Sequence, residues 1–126
     1  MQYTTITKEN IRRMLDRFYS NVLKDELIAE FFIDKLGDEM ISDSWQSHLN
    51  LLTDFLASVL LQDNLYTGEP IKPHMRMKGL VRKSFDRWLE LFFISVDKYY
   101  THDEANKFKL HSERIANDFI KVLKLK

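Results

Sequence analysis

Apolar residues recur at helical spacing along most of the chain, and no other feature limits the fold as strongly. Ile11, Met14, Leu15, Phe18, Tyr19 and Val22 follow i, i+3/i+4 spacing and form one face. Trp45, His48, Leu49, Leu52, Phe55, Leu56 and Val59 form a second stripe. Val81, Phe85, Trp88, Leu89, Phe92, Phe93 and Val96 form a third, and Phe108, His111, Ile115, Phe119 and Val122 a fourth. A shorter segment, DELIAEFFIDKL, gathers Leu27, Ile28, Phe31 and Phe32. No period-2 alternation is long enough for a strand. The spacing therefore predicts an all-α fold of about five principal helices, in one domain spanning the 126 residues.

Local signals mark the helix ends. Thr7 reads as an N-cap, with Ile6 and Ile11 placed for a hydrophobic staple. Gly37 is expected to end the short helix in the left-handed conformation. The next helix is expected to start near Ser42 to Ser44. Thr101 and Glu104, three places apart, predict a capping box for the last helix.

Composition removes several function classes. There is no cysteine, so disulfides, thiolate zinc sites and cysteine nucleophiles are excluded. Lys+Arg and Asp+Glu are 19 each, and such a balance gives no footprint for nucleic acid or an anionic membrane. The chain has no run of about 18 apolar residues, and its start resembles no signal peptide. The expectation is a soluble, cytoplasmic, monomeric domain. Aromatics reach 13%, so the core, or something inside it, is lined with large rings.

The longest irregular stretch is QDNLYTGEPIKPHMRMKG, punctuated by Gly68, Pro70, Pro73 and Gly79. Glu69 and Lys72 precede prolines and are biased away from helix. A helical turn can start at Pro73. Glycine and proline account for a turn here, but not for the imidazole of His74.

Four histidines compete for a role. His102 lies in the first turn of a helix and reads as solvated, and His111 as a partly buried packing residue. His48 sits within an apolar stripe and His74 in the loop. They form no zinc pattern, since HExxH is absent and neither has a carboxylate at i+4. Tyr19 and Trp88 also project from apolar faces, and each carries a donor that needs a partner when buried. Each can be satisfied separately in a core. Alternatively they converge on one small polar ligand in an apolar cavity. Haem suits this inventory: a flat apolar disc, an aromatic slot, one axial imidazole and no cysteine.

Tyr19 behind Phe18, Phe31-Phe32, W-Q-S-H ending at His48, Y-T-G-E-P-I-K-P-H ending at His74 and F-D-R-W ending at Trp88 occur in this order. Together they resemble the truncated haemoglobins of the third group, over most of the chain from about Thr5. The resemblance implies a shortened globin, a two-over-two helical sandwich around haem b. It makes His74 similar to the proximal iron ligand, and Tyr19, His48 and Trp88 to the distal residues. Phe32 matches the ring that packs on the haem, a role Phe31 can exchange with it, because the sequence reads E-F-F without the proline of some members. Leu52 and Phe55 match pocket-lining positions. Lys72 and Arg76 flank His74 and are candidates for the haem propionates.

Physical chemistry adds expectations. His74 needs an acceptor for its second ring nitrogen, and the Pro70 carbonyl is the natural one if that turn is helical. On the other side, Tyr19 O–H and Trp88 N–H are each worth ~1–3 kcal/mol to a ligand that has gained negative charge. His48 either donates as well or swings outward as a gate. Such a pocket suits oxygen and nitric oxide chemistry better than simple transport, with carbon monoxide and cyanide as further ligands. Enzymatic turnover, as a nitric oxide dioxygenase or a peroxidase, needs an external reductant, because the chain has no flavin or nicotinamide motif. A separate reductase is then the expected partner. The competing reading is a cofactor-free helical interaction module with every aromatic in the core.

Overall fold

A computed structural model describes residues 2–61 and 79–125. Five helices occur among the described residues: α1 Lys8–Val22, α2 Ala29–Leu36, α3 Asp43–Leu61, α4 Arg82–Tyr99 and α5 His102–Val122. The closest packing pairs α1 with α3 and α4 with α5. Contact between α1 and α4 joins the two pairs, with a smaller contact between α3 and α5. The core runs through the middle, built on Ile11, Met14, Phe18, Trp45, Leu49, Phe92 and Phe108. None of the described helices is long and apolar enough to cross a membrane.

The start of α1 follows the expectation and extends it. Thr7 caps the helix, its hydroxyl accepting from the Asn10 N–H at 3.1 Å. Asn10 closes the box by accepting from the Thr7 N–H at 2.9 Å. An asparagine therefore takes the place where Glu or Gln is usual. Asn10 is also a buried hub. Its Oδ1 accepts from the Tyr100 hydroxyl at 2.7 Å, and its Nδ2 donates to the Thr5 carbonyl at 2.9 Å. The segment before α1 is bonded to the α4–α5 corner, Tyr3 N–H to Tyr99 O at 2.8 Å and Thr101 N–H to Tyr3 O at 3.0 Å. Asn10→Ala removes a cap and orphans a buried hydroxyl, so a loss of about 2–3 kcal/mol is expected in denaturant unfolding.

Three local expectations need correction. Leu27 does not join its neighbours inside. It is 70% exposed while Ile28 is buried, because the Asp25 carboxylate accepts the Leu27 N–H at 3.2 Å and turns the chain there. Gly37 does end α2 with positive φ, but at φ 83° and ψ −177°. That is the extended positive-φ region open essentially to glycine alone, not the left-handed helical one. Thr101 does occupy the N-cap of α5, yet its side chain makes no capping bond. Glu104 pairs with Lys107 at 3.2 Å instead.

The register of α5 also differs from its apolar stripe. Ala105, Phe108, Ser112, Ala116 and Ile120 are the buried residues. Val122 is 61% exposed, and His111 is half-buried. Ala105, Ser112 and Ala116 are small, and a reading by hydrophobic size overlooks them. Val81 likewise lies before α4 as its exposed N-cap, its N–H bonded to Ser84 Oγ at 3.2 Å.

Candidate functional site

Helix α1 places Phe18 and Tyr19 side by side, both buried. Their rings meet at 4.7 Å and 65°. Each then faces a different helix. Phe18 meets Trp88 of α4 edge-on at 5.0 Å, and Trp88 stacks on Phe92 at 4.8 Å. Tyr19 meets His48 of α3 at 5.1 Å and 80°, Trp45 at 5.4 Å and Phe32 of α2 at 5.3 Å. Side chains distant in sequence thus converge: Tyr19, Phe32 and His48 meet from α1, α2 and α3, and Trp88 of α4 adjoins them across Phe18.

Burial keeps the Tyr19 phenol protonated. Desolvation pushes its pKa well above the usual tyrosine value of 10.0, and interaction with the Trp88 indole acts the other way. The group is therefore a neutral O–H donor throughout the physiological range. Tyr100 is raised too, by burial first and the nearby Tyr3 second. The sign of the linkage follows. These phenols contribute fully to stability below pH 10 and progressively less above it, because only the unfolded chain can ionise them there. Unfolding free energy should fall by about 1.4 kcal/mol per pH unit above 10 from Tyr19 alone. Comparing wild type with Tyr19→Phe in denaturant at pH 9 and pH 11 checks this.

An ion pair not evident in the sequence links the helix that carries Trp88 to the turn after α1. Arg87, next to Trp88 on α4, donates to Asp25 Oδ1 through Nε at 2.9 Å and Nη2 at 2.7 Å. Asp25 lies in the turn after α1, its side chain 8% exposed. Bonding to Arg87 holds its carboxyl below the ordinary aspartate range. The pair anchors α4 to the end of α1 a few residues from the aromatic cluster.

The remaining pocket candidates are half-buried. Phe31, Phe32, Leu52, Phe55 and Trp88 all pack against the core and keep part of their surface outside it. On α3, His48, Leu52 and Phe55 follow i, i+4, i+7 and lie on one side, next to the buried Leu49, Leu56 and Ala57. Such a wall, apolar and aromatic with O–H, N–H and imidazole donors along it, fits a flat apolar cofactor with a small polar ligand on one face. Two buried residues were not singled out as site supports by the sequence, Phe18 and Trp45. Both read as ordinary stripe positions, and only the packing shows that they touch the distal side chains. His74, Lys72, Arg76 and the Pro70 carbonyl lie outside the described residues.

A helical fold in two packed pairs, with an aromatic wall carrying these donors, is the arrangement of a small globin-like helical protein. No protein-family model matches the chain. It is similar to the group 3 truncated hemoglobin ctb of Campylobacter jejuni, 28% identical over 123 residues, covering 98% of this chain and 95% of the relative. The crystal structure of the group III truncated hemoglobin from Campylobacter jejuni superposes with a TM-score of 0.88 at 30% identity, covering 98% of this chain and 95% of that one. The chain belongs to the group III truncated haemoglobins. Membership bears out the all-α truncated-globin fold and implies haem and iron.

Proposed function

We propose that the chain is a single globin domain over residues 1–126 that binds haem b through His74 and reversibly takes oxygen and other diatomic ligands. The observation that carries this reading is the convergence of Tyr19, His48 and Trp88 from three helices beside the half-buried apolar wall. When bound, haem supplies an iron able to take a diatomic ligand. Phe31 or Phe32, Leu52 and Phe55 would hold its apolar faces, and Lys72 and Arg76 its propionates. His74 would give one ring nitrogen to the iron and direct the other to an acceptor, the Pro70 carbonyl.

The distal side chains act in concert. Trp has a single N–H and no acceptor, whereas a phenol both accepts and donates. With the Trp88 indole supplying a proton to the Tyr19 oxygen, the Tyr19 O–H is left to point at a ligand. The phenol, held neutral by burial, donates in a setting where water competes little. Donors of this kind favour ligands that take up negative charge, such as oxygen, over carbon monoxide. They also slow release, which favours oxygen and nitric oxide chemistry over delivery. Sustained nitric oxide dioxygenase or peroxidase turnover would draw electrons from a separate reductase.

Reversible oxygen uptake by the ferrous protein, followed by its absorption spectrum, tests the reading. Full recovery of the deoxy spectrum on removing oxygen is expected, and failure to take up oxygen contradicts it. Nitric oxide consumption with a reductant present separates an enzyme from a binder.

A further inference from the structure

Trp45 touches every distal element of α1, α2 and α3. It is fully buried, and its Nε1–H donates to the Gly37 carbonyl at 2.8 Å. Its ring lies perpendicular to His48 at 5.5 Å, edge-on to Tyr19 at 5.4 Å and stacked with Phe32 at 6.3 Å. Indole has one polar atom, so bonding that atom to a fixed carbonyl sets the orientation of the whole ring. Gly37 is itself tied to the end of α2, its N–H donating to the Ile33 carbonyl at 2.8 Å. Helix α2 is not among the closely packed helix pairs, so this bond and the Phe32 contacts matter for where α2 sits.

We propose that Trp45 is a positioning residue of the distal site, its ring anchored to the Gly37 carbonyl and holding the Tyr19 phenol and the His48 imidazole in their working orientations. This rests on the distal reading above. A tryptophan that only filled volume would be replaceable by another ring with a loss of stability and nothing else. A positioning tryptophan sets the aim of the Tyr19 O–H, and it keeps water from the phenol.

Trp45→Phe tests the difference, since it keeps a ring and removes the N–H. Oxygen release from the haem-loaded ferrous protein should speed roughly fivefold, the scale of one weakened hydrogen bond. In the haem-free protein, the Tyr19 phenol should ionise at lower pH than in wild type. Absorbance titration shows this, with Tyr19→Phe subtracted to isolate the residue and circular dichroism recorded at each pH so that only ionisation within the folded chain is counted. Should Trp45→Phe not fold, benzothienylalanine at position 45 keeps the indole shape without the N–H and takes the same two measurements. Wild-type oxygen release together with wild-type phenol titration in a folded variant would overturn the proposal. If Tyr19→Phe itself leaves oxygen release unchanged, the distal reading fails instead. The haem-free titration then still decides the role of Trp45.

Discussion

Tyr19→Phe and Trp88→Phe should each speed oxygen release by about tenfold, because the first removes the donor to the ligand and the second the group that orients it, each worth about 1.4 kcal/mol in a dry pocket. The two losses should not simply add. The Trp88 indole interacts with the Tyr19 phenol and both pack on Phe18, so removing either changes what the other can do. Without Trp88, the phenol keeps its O–H but loses the group that orients its oxygen. Without Tyr19, the indole N–H is left free to turn toward the ligand and to replace part of what was lost. The double variant should therefore release oxygen faster than either single one, but by less than the product of their effects. Carbon monoxide release should change much less in all three, since that ligand gains little from donors. Stopped-flow replacement of oxygen by carbon monoxide measures these rates. Unchanged rates in both single variants would contradict the polar-cage reading.

His74→Ala should abolish normal haem ligation, the largest single effect expected of any substitution. Of the other histidines, only His48 belongs to the same site, on the side of the bound ligand, so its coordination in the variant would give a spectrum unlike wild type. His48 lies among Tyr19, Trp45 and Phe32, His102 is exposed and bonds Asn106 at the surface, and His111 is half-buried on α5. The variant should take up haem weakly, and added imidazole should restore a wild-type-like spectrum. Retention of the wild-type spectrum without imidazole would sink the assignment of His74.

Much of this was legible because helical periodicity concentrates on large residues. The apolar face of α1 came out as spaced, with Ile11, Met14, Leu15, Phe18, Tyr19 and Val22 all buried and the polar Asn10 beside them. The α5 face did not, because Ala105, Ser112 and Ala116 bury by being small. Leu27 was misplaced since a side-chain bond to the backbone, not apolar spacing, sets that turn. Tyr19, His48 and Trp88 stood out as polar groups on apolar stripes, and the fold does bring them together. Asn10, Asp25 with Arg87, and Trp45 were invisible as a group. Their importance lies in partners 8 to 90 positions away, such as Gly37 for Trp45, Arg87 for Asp25 and Tyr100 for Asn10. Periodicity carries no information about such pairs.

Titrating haem into the haem-free protein while recording its absorption spectrum tests the central claim most directly. The account predicts a sharp Soret band that saturates at one haem per chain and shifts on adding oxygen or carbon monoxide to the reduced form. A spectrum that stays that of free haem in buffer, with no saturation, would contradict it and leave a cofactor-free helical module.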